Sequence, residues 1–190
     1  MTRLLVDSIT VFIMAGHYTY VISALPMLHF GHKLPLSYAR FLESCRGLID
    51  EEEVSVLAAL EGRDWGAALA ADIPLLKAWR LFEVALRNEL VKLRSARKQS
   101  DAVRFLRHDG WWDSWVVQAA LNAVRNPAPL EAEKILDEER WKKLDELCLG
   151  HYFDLDVLVV YGLKLLILER WERIGSADKA KILEETLAVK

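Results

Sequence analysis

Helix-breaking residues are scarce in this sequence, with nine glycines and five prolines among 190 residues. That leaves little room for a loop-dominated chain and suits long helices. Cysteine is scarcer still. Cys45 and Cys148 lie far apart and show no paired-ligand spacing, which argues against a thiolate metal cluster. Two isolated cysteines read as small buried apolar residues in a reducing compartment. Charge of one sign is also lacking: a formal net charge of −3 offers no general attraction for nucleic acid or anionic lipid. No apolar run reaches the roughly 18 residues of a membrane-spanning helix. The best candidate, Leu155 to Leu168, is interrupted by Asp156 and Lys164. Nucleophile-elbow, P-loop, dinucleotide-fingerprint and H-E-x-x-H motifs are all missing, which lowers the expectation of an enzyme.

What is present favours a folded protein. Hydrophobic residues make up 53% and charged residues 28%, a balance that favours a packed core over disorder. The length allows one domain or two small lobes sharing one core. At the N-terminus, Arg3 followed by a short apolar run faintly resembles a signal peptide, but Asp7 breaks the run. The expectation is instead that residues 1–13 form a dispensable extension, with Met14 as the natural start and 14–190 as a single all-helical domain. Possible sub-units are 14–125 and 130–190.

Periodicity predicts an all-α, multi-helix bundle of about eight helices. Tyr18 to Ser23 has strand-like propensity but no partner strand, and helix is preferred there. Pro35 to Cys45 reads as a short helix with Phe41, Leu42 and Cys45 on one side. Asp50 caps the next, whose Glu51, Glu52 and Glu53 complement the positive end of the helix dipole, and Gly62 ends it. The clearest element starts at Pro74, where Leu75, Trp79, Phe82, Leu86, Leu90 and Leu93 form one apolar stripe. A shorter helix holds Val103, Phe105 and Leu106, and Asp113 caps another. The linker Asn126-Pro127-Ala128-Pro129 precedes an amphipathic helix from Leu130 to Leu149, which Gly150 stops. Asp154 opens a helix that is apolar nearly all round, as expected for a central one, and Gly175-Ser176 is expected to break it before a last helix over Ala177 to Leu187.

Each polar constellation has a plain structural explanation. His29 and His32 lack a further zinc ligand of suitable type nearby and read as an ordinary polar loop. His151, Asp154 and Asp156 suggest a metal or acid–base site, but a helix-entry loop is preferred, with Asp154 as cap and Tyr152 and Phe153 packed as a hydrophobic staple. Glu131, Glu133, Asp137, Glu138 and Glu139 alternate with Lys134 and Arg140 and read as a solvated helical face. No catalytic, cofactor-binding or metal residue is therefore assigned. The basic stretch from Lys92 through Arg94, Arg97, Lys98 and Arg104 to Arg107 lacks interleaved exposed aromatics, so nucleic acid is not an expected partner. Seven tryptophans are many for this length, and the Trp111-Trp112 pair after a turn suggests one exposed anchor. The candidate interface residues are Arg87, Arg94, Arg97, Trp111, Trp112 and Arg170. Arg87 and Arg170 each end an apolar stretch beside a carboxylate, Glu83 or Glu169.

Two stretches echo each other, Trp79 to Arg87 and Leu163 to Trp171, each long, apolar and following an acidic amphipathic helix. The segments His17-Tyr18-Thr19-Tyr20-Val21, Leu25-Pro26 and Phe41-Leu42-Glu43 resemble the opening of a small uncharacterised bacterial family. So do Phe82-Glu83, Leu86-Arg87-Asn88-Glu89-Leu90, Gly150-His151-Tyr152-Phe153-Asp154 and Leu168-Glu169-Arg170-Trp171 further on. Proteins of that family are typically encoded among V-type (A-type) ATPase subunits. The pattern also looks, more distantly, like the C-type (or d-type) component of the archaeal-type rotary ATPase, an all-helical funnel built from repeats between the rotor stalk and the membrane ring. This chain is shorter, with two repeat-like units rather than three. The resemblance implies a non-catalytic subunit or accessory factor of a V-type ATPase. It would sit in the cytoplasm, held at the inner face of the membrane by contacts with the central stalk and membrane ring, and would need no cofactor. The alternative is a free-standing helical adaptor or regulator unrelated to the motor.

Overall fold

The computed structural model describes residues 18–61, 72–107 and 114–188. Every regular element among them is helical. In chain order these are α1 (residues 18–24), α2 (Tyr38–Cys45), α3 (Glu51–Glu61), α4 (Pro74–Lys98), a 3-10 turn (Val103–Phe105), α5 (Ser114–Arg125), α6 (Pro129–Leu147) and α7 (Leu155–Ala188). The strand-prone Tyr18 to Ser23 stretch is thus helical. Residues 1–13, Met14, Gly62, Asp113 and the Trp111-Trp112 pair lie outside the described residues. The chain divides into two compact units, one formed by residues 1–70 together with 150–190 and the other by residues 71–149. The 126–129 segment links α5 and α6 within the second unit.

The first unit packs α2 and α3 against α7. Ser37 caps α2 by accepting from the Arg40 N–H at 3.3 Å. The Glu169 carboxylate on α7 accepts from the Tyr38 N–H at 2.6 Å, so it places negative charge on the positive end of α2. At α3, Glu53 accepts from the Asp50 N–H, the return half of a capping box. Tyr38, Phe41, Leu57, Leu60, Leu158 and Leu165 are fully buried. The Tyr38 hydroxyl donates to the Leu57 carbonyl at 2.7 Å, satisfying the one polar atom that ring brings inside.

Gly162 makes this packing possible. A Cβ there would lie 3.0 Å from the Tyr38 hydroxyl oxygen and 3.3 Å from a Phe41 ring carbon. The hydroxyl is pinned by Leu57 and the ring stands edge-on to Phe41, so neither yields easily. Gly162→Val is expected to lower stability by about 2–3 kcal/mol. The denaturant midpoint measures this, and an unchanged midpoint would mean that Tyr38 can move aside.

The Gly175-Ser176 pair does not end a helix, contrary to expectation: α7 runs uninterrupted for 34 residues. A helix-interior glycine costs only about 1 kcal/mol relative to alanine, which a long helix tolerates. The Ser176 hydroxyl turns back onto the Arg173 carbonyl at 3.0 Å instead of offering the chain a turn. This continuity merges two expected helices into one.

The second unit packs α4, α5 and α6 around Leu76, Trp79, Phe82, Leu86, Val116, Ala120, Leu136 and Leu144. Pro74 occupies the first turn of α4, where its missing N–H has no partner to lose. The Trp79 and Phe82 rings lie 5.4 Å apart, and Trp115 follows 6.0 Å from Phe82. The predicted stripe of α4 is buried from Leu75 to Leu90, while Leu93 is half-buried.

Candidate functional site

The predicted interface residues fall on both units. In the second unit Arg87, Arg94 and Arg97 are exposed along α4. Arg87 does not pair with Glu83. Its guanidinium donates to the Phe105 carbonyl at 3.0 Å, and that of Arg97 donates to the Val124 carbonyl, near the end of α5, at 3.2 Å. Carbonyls left over at a helix end are natural partners for arginine. The buried Asn88 side chain pairs with both backbone groups of Arg107, donating at 2.8 Å and accepting at 3.0 Å. Arg87 and Asn88 together fasten the 3-10 turn to α4 and present Val103 and Phe105, which are 69% and 56% exposed. Trp115 is partly exposed beside them in sequence order on α5. In the first unit Arg170 is half-buried on α7, and its neighbour Glu169 faces the α2 N-terminus.

Glu83 is committed elsewhere. The Arg140 guanidinium on α6 donates to Glu83 at 2.7 and 3.4 Å and to Asp137 at 2.9 Å. Asp137 is completely buried, so the carboxylate run of α6 is not wholly a solvated face. Burial works against the Arg140 charge, but Glu83 and Asp137 outweigh it and hold the group protonated well above its usual range. Sequence pattern did not separate Asp137 from the other carboxylates of α6, because Glu138, Glu139 and Arg140 follow it directly and read as a charged face. Its position one residue from buried Leu136 and four from buried Trp141 was the available signal.

The segment joining α6 to α7 carries the other polar cluster. Gly150 adopts φ +91°, a left-handed conformation suited to glycine just beyond a helix end. Asp154 Oδ1 accepts from the Val157 N–H at 3.2 Å, so Asp154 caps α7 as expected. Its other oxygen lies 2.7 Å from His151 Nδ1, and Asp156 Oδ2 lies 3.3 Å from the same nitrogen. All three side chains are half-buried. The expected staple does not form: Tyr152 and Phe153 are 72% and 50% exposed. The hydrogen bond to Asp154 raises the His151 pKa above its ordinary value. Burial, followed by the Asp154 charge, raises that of Asp156, which His151 only partly offsets.

Negative charge accumulates further around Tyr18, whose hydroxyl donates to Glu53. Burial chiefly raises its pKa, and the charges of Glu53, Asp50 and Asp154 add to that. His29 and His32 are exposed with ring centroids 5.3 Å apart, and among the described residues no carboxylate or cysteine joins them as a ligand set. Cys45 is buried, its thiol pushed up to about 11, and Cys148 is half-buried; the two form no disulfide with each other. No helix of the described residues is long and apolar enough to cross a membrane.

No curated protein matches the chain, and no solved structure does. Residues 116–186, from α5 through most of α7, match the family model described as a protein of unknown function, DUF2764, and this stretch of the chain is therefore similar to an uncharacterised family.

Proposed function

We propose that this chain is a non-catalytic subunit or accessory factor of a V-type ATPase, acting as an adaptor between the central stalk and the membrane ring. An adaptor needs two separate binding faces. The observation that carries the reading is that each compact unit exposes its own apolar anchors. The first exposes Tyr20, Met27, Tyr152 and Phe153, and the second Val103, Phe105 and Trp115. Large side chains of this kind dominate binding energy at protein interfaces. Within each unit stiffness is supported by one long helix, α4 in the second and α7 in the first, which at 25 and 34 residues are roughly 37 and 50 Å long. The choice of machine rests on the resemblance of the chain to proteins encoded with V-type ATPase subunits. Contact with the inner face of the membrane would then come through protein partners.

The test is to isolate the ATPase from native membranes in mild detergent. This chain is expected in stoichiometric amount with the stalk and ring subunits, and its deletion is expected to impair ATP-driven ion pumping. Its absence from the complex together with undisturbed pumping would overturn the reading and favour a free-standing adaptor.

A further inference from the structure

We propose that His151, Asp154 and Asp156 form a binding site for a divalent transition-metal ion, with zinc the best match to the donor set. One imidazole nitrogen and two carboxylate oxygens come from a six-residue segment, and the three donor atoms all lie within 4.8 Å of one another. Zinc–ligand bonds of about 2.0–2.2 Å at tetrahedral angles place donor atoms roughly 3.4 Å apart. The spacings of His151 Nδ1 to Asp154 Oδ2 and Asp156 Oδ2, 2.7 and 3.3 Å, would open by about 0.7 and 0.1 Å to admit the ion, a change within reach of small side-chain rotations. The imidazole selects a zinc-like ion over calcium or magnesium, which prefer all-oxygen sites. A fourth position would remain open to water.

The surroundings favour a cation for reasons separate from the ligand geometry. Among the described residues His151 is the only basic side chain paired with Asp154 or Asp156. Asp50 and Glu53 add negative charge, both acting with Asp154 on the Tyr18 hydroxyl. A divalent ion would neutralise carboxylates that one imidazolium balances incompletely. The site is also partly organised beforehand. The Val157 N–H holds Asp154 Oδ1 and leaves Oδ2 directed at His151, the kind of orienting bond that metal ligands commonly carry. Capping and ligation therefore use different oxygens of one carboxylate.

The experiment titrates zinc alone into the chelator-stripped full chain, in competition with a chromophoric chelator. One tightly held equivalent is expected. His151→Gln and Asp156→Asn should each weaken it by about 100-fold or more, beyond the 10- to 100-fold effect of losing an orienting partner. Asp156→Asn leaves the Asp154 cap intact, so its circular dichroism should match that of the parent and separate ligand loss from unfolding. A His29→Gln/His32→Gln variant should bind as the parent does. Failure to compete with the chelator would overturn the proposal. So would equal binding by His151→Gln and Asp156→Asn, or loss of binding in the His29/His32 variant alone.

Discussion

Replacing Arg140 with methionine is expected to lower the stability of the chain by about 3 kcal/mol. The guanidinium reaches both Glu83 on α4 and Asp137 on α6 and forms an ion pair with each. Removing it takes this cation away from the buried Asp137 carboxylate, and breaking a buried ion pair typically costs about 3–5 kcal/mol. Glu83 keeps about a third of its side chain in solvent and can rehydrate, which places the loss at the lower end of that range. A triple replacement, Arg140→Met with Glu83→Met and Asp137→Leu, should recover most of the loss, because a buried ion network often stabilises no more than apolar side chains of similar volume. Urea unfolding of the parent and both variants distinguishes the cases. A loss below about 1 kcal/mol for Arg140→Met would show that water reaches Asp137 and that the network is a surface pair in energetic terms.

The second large effect is expected at Trp79. Its ring is 4% exposed, stacks near Phe82 and lies in the layer continued by Trp115. Trp79→Ala should cost about 3–5 kcal/mol, combining the lost burial of a large apolar surface with the cavity left behind. The value depends on collapse of the site. Phe82 is itself fully buried and held between two neighbours, so it has little freedom to fill the space. Differential scanning calorimetry should show the midpoint falling by several degrees for a chain of this size. Near-ultraviolet circular dichroism should lose aromatic signal with the secondary structure unchanged. A shift of less than about 1 kcal/mol would mean that α4 and α5 repack around the gap.

The helical class was readable in the sequence because amphipathic periodicity is a local property. The α4 stripe from Leu75 to Leu90, Pro74 in its first turn, the Asp154 cap and the stop near Gly150 all follow from residues within a turn or two of each other. Local rules failed where two signals competed. Gly175-Ser176 looked like a break, yet one glycine costs too little to interrupt α7. Tyr152 and Phe153 looked like a staple, but both stay exposed, since apolar spacing before a helix does not itself decide whether a neighbouring surface receives the side chains.

What only the tertiary structure decided concerns partners distant in the chain. Glu83 finds Arg140 rather than the nearer Arg87, and Glu169 meets the Tyr38 N–H from 131 residues away. One compact unit is assembled from both ends of the chain, with the other formed by the residues between. No periodicity encodes such pairings. They depend on which helix faces meet, and the free energy of closing a long loop changes too slowly with its length to favour a near partner over a far one. Composition and pattern therefore determined that this protein is helical and where most helices start. Packing determined which charges are buried and paired, and which apolar side chains remain available to a partner.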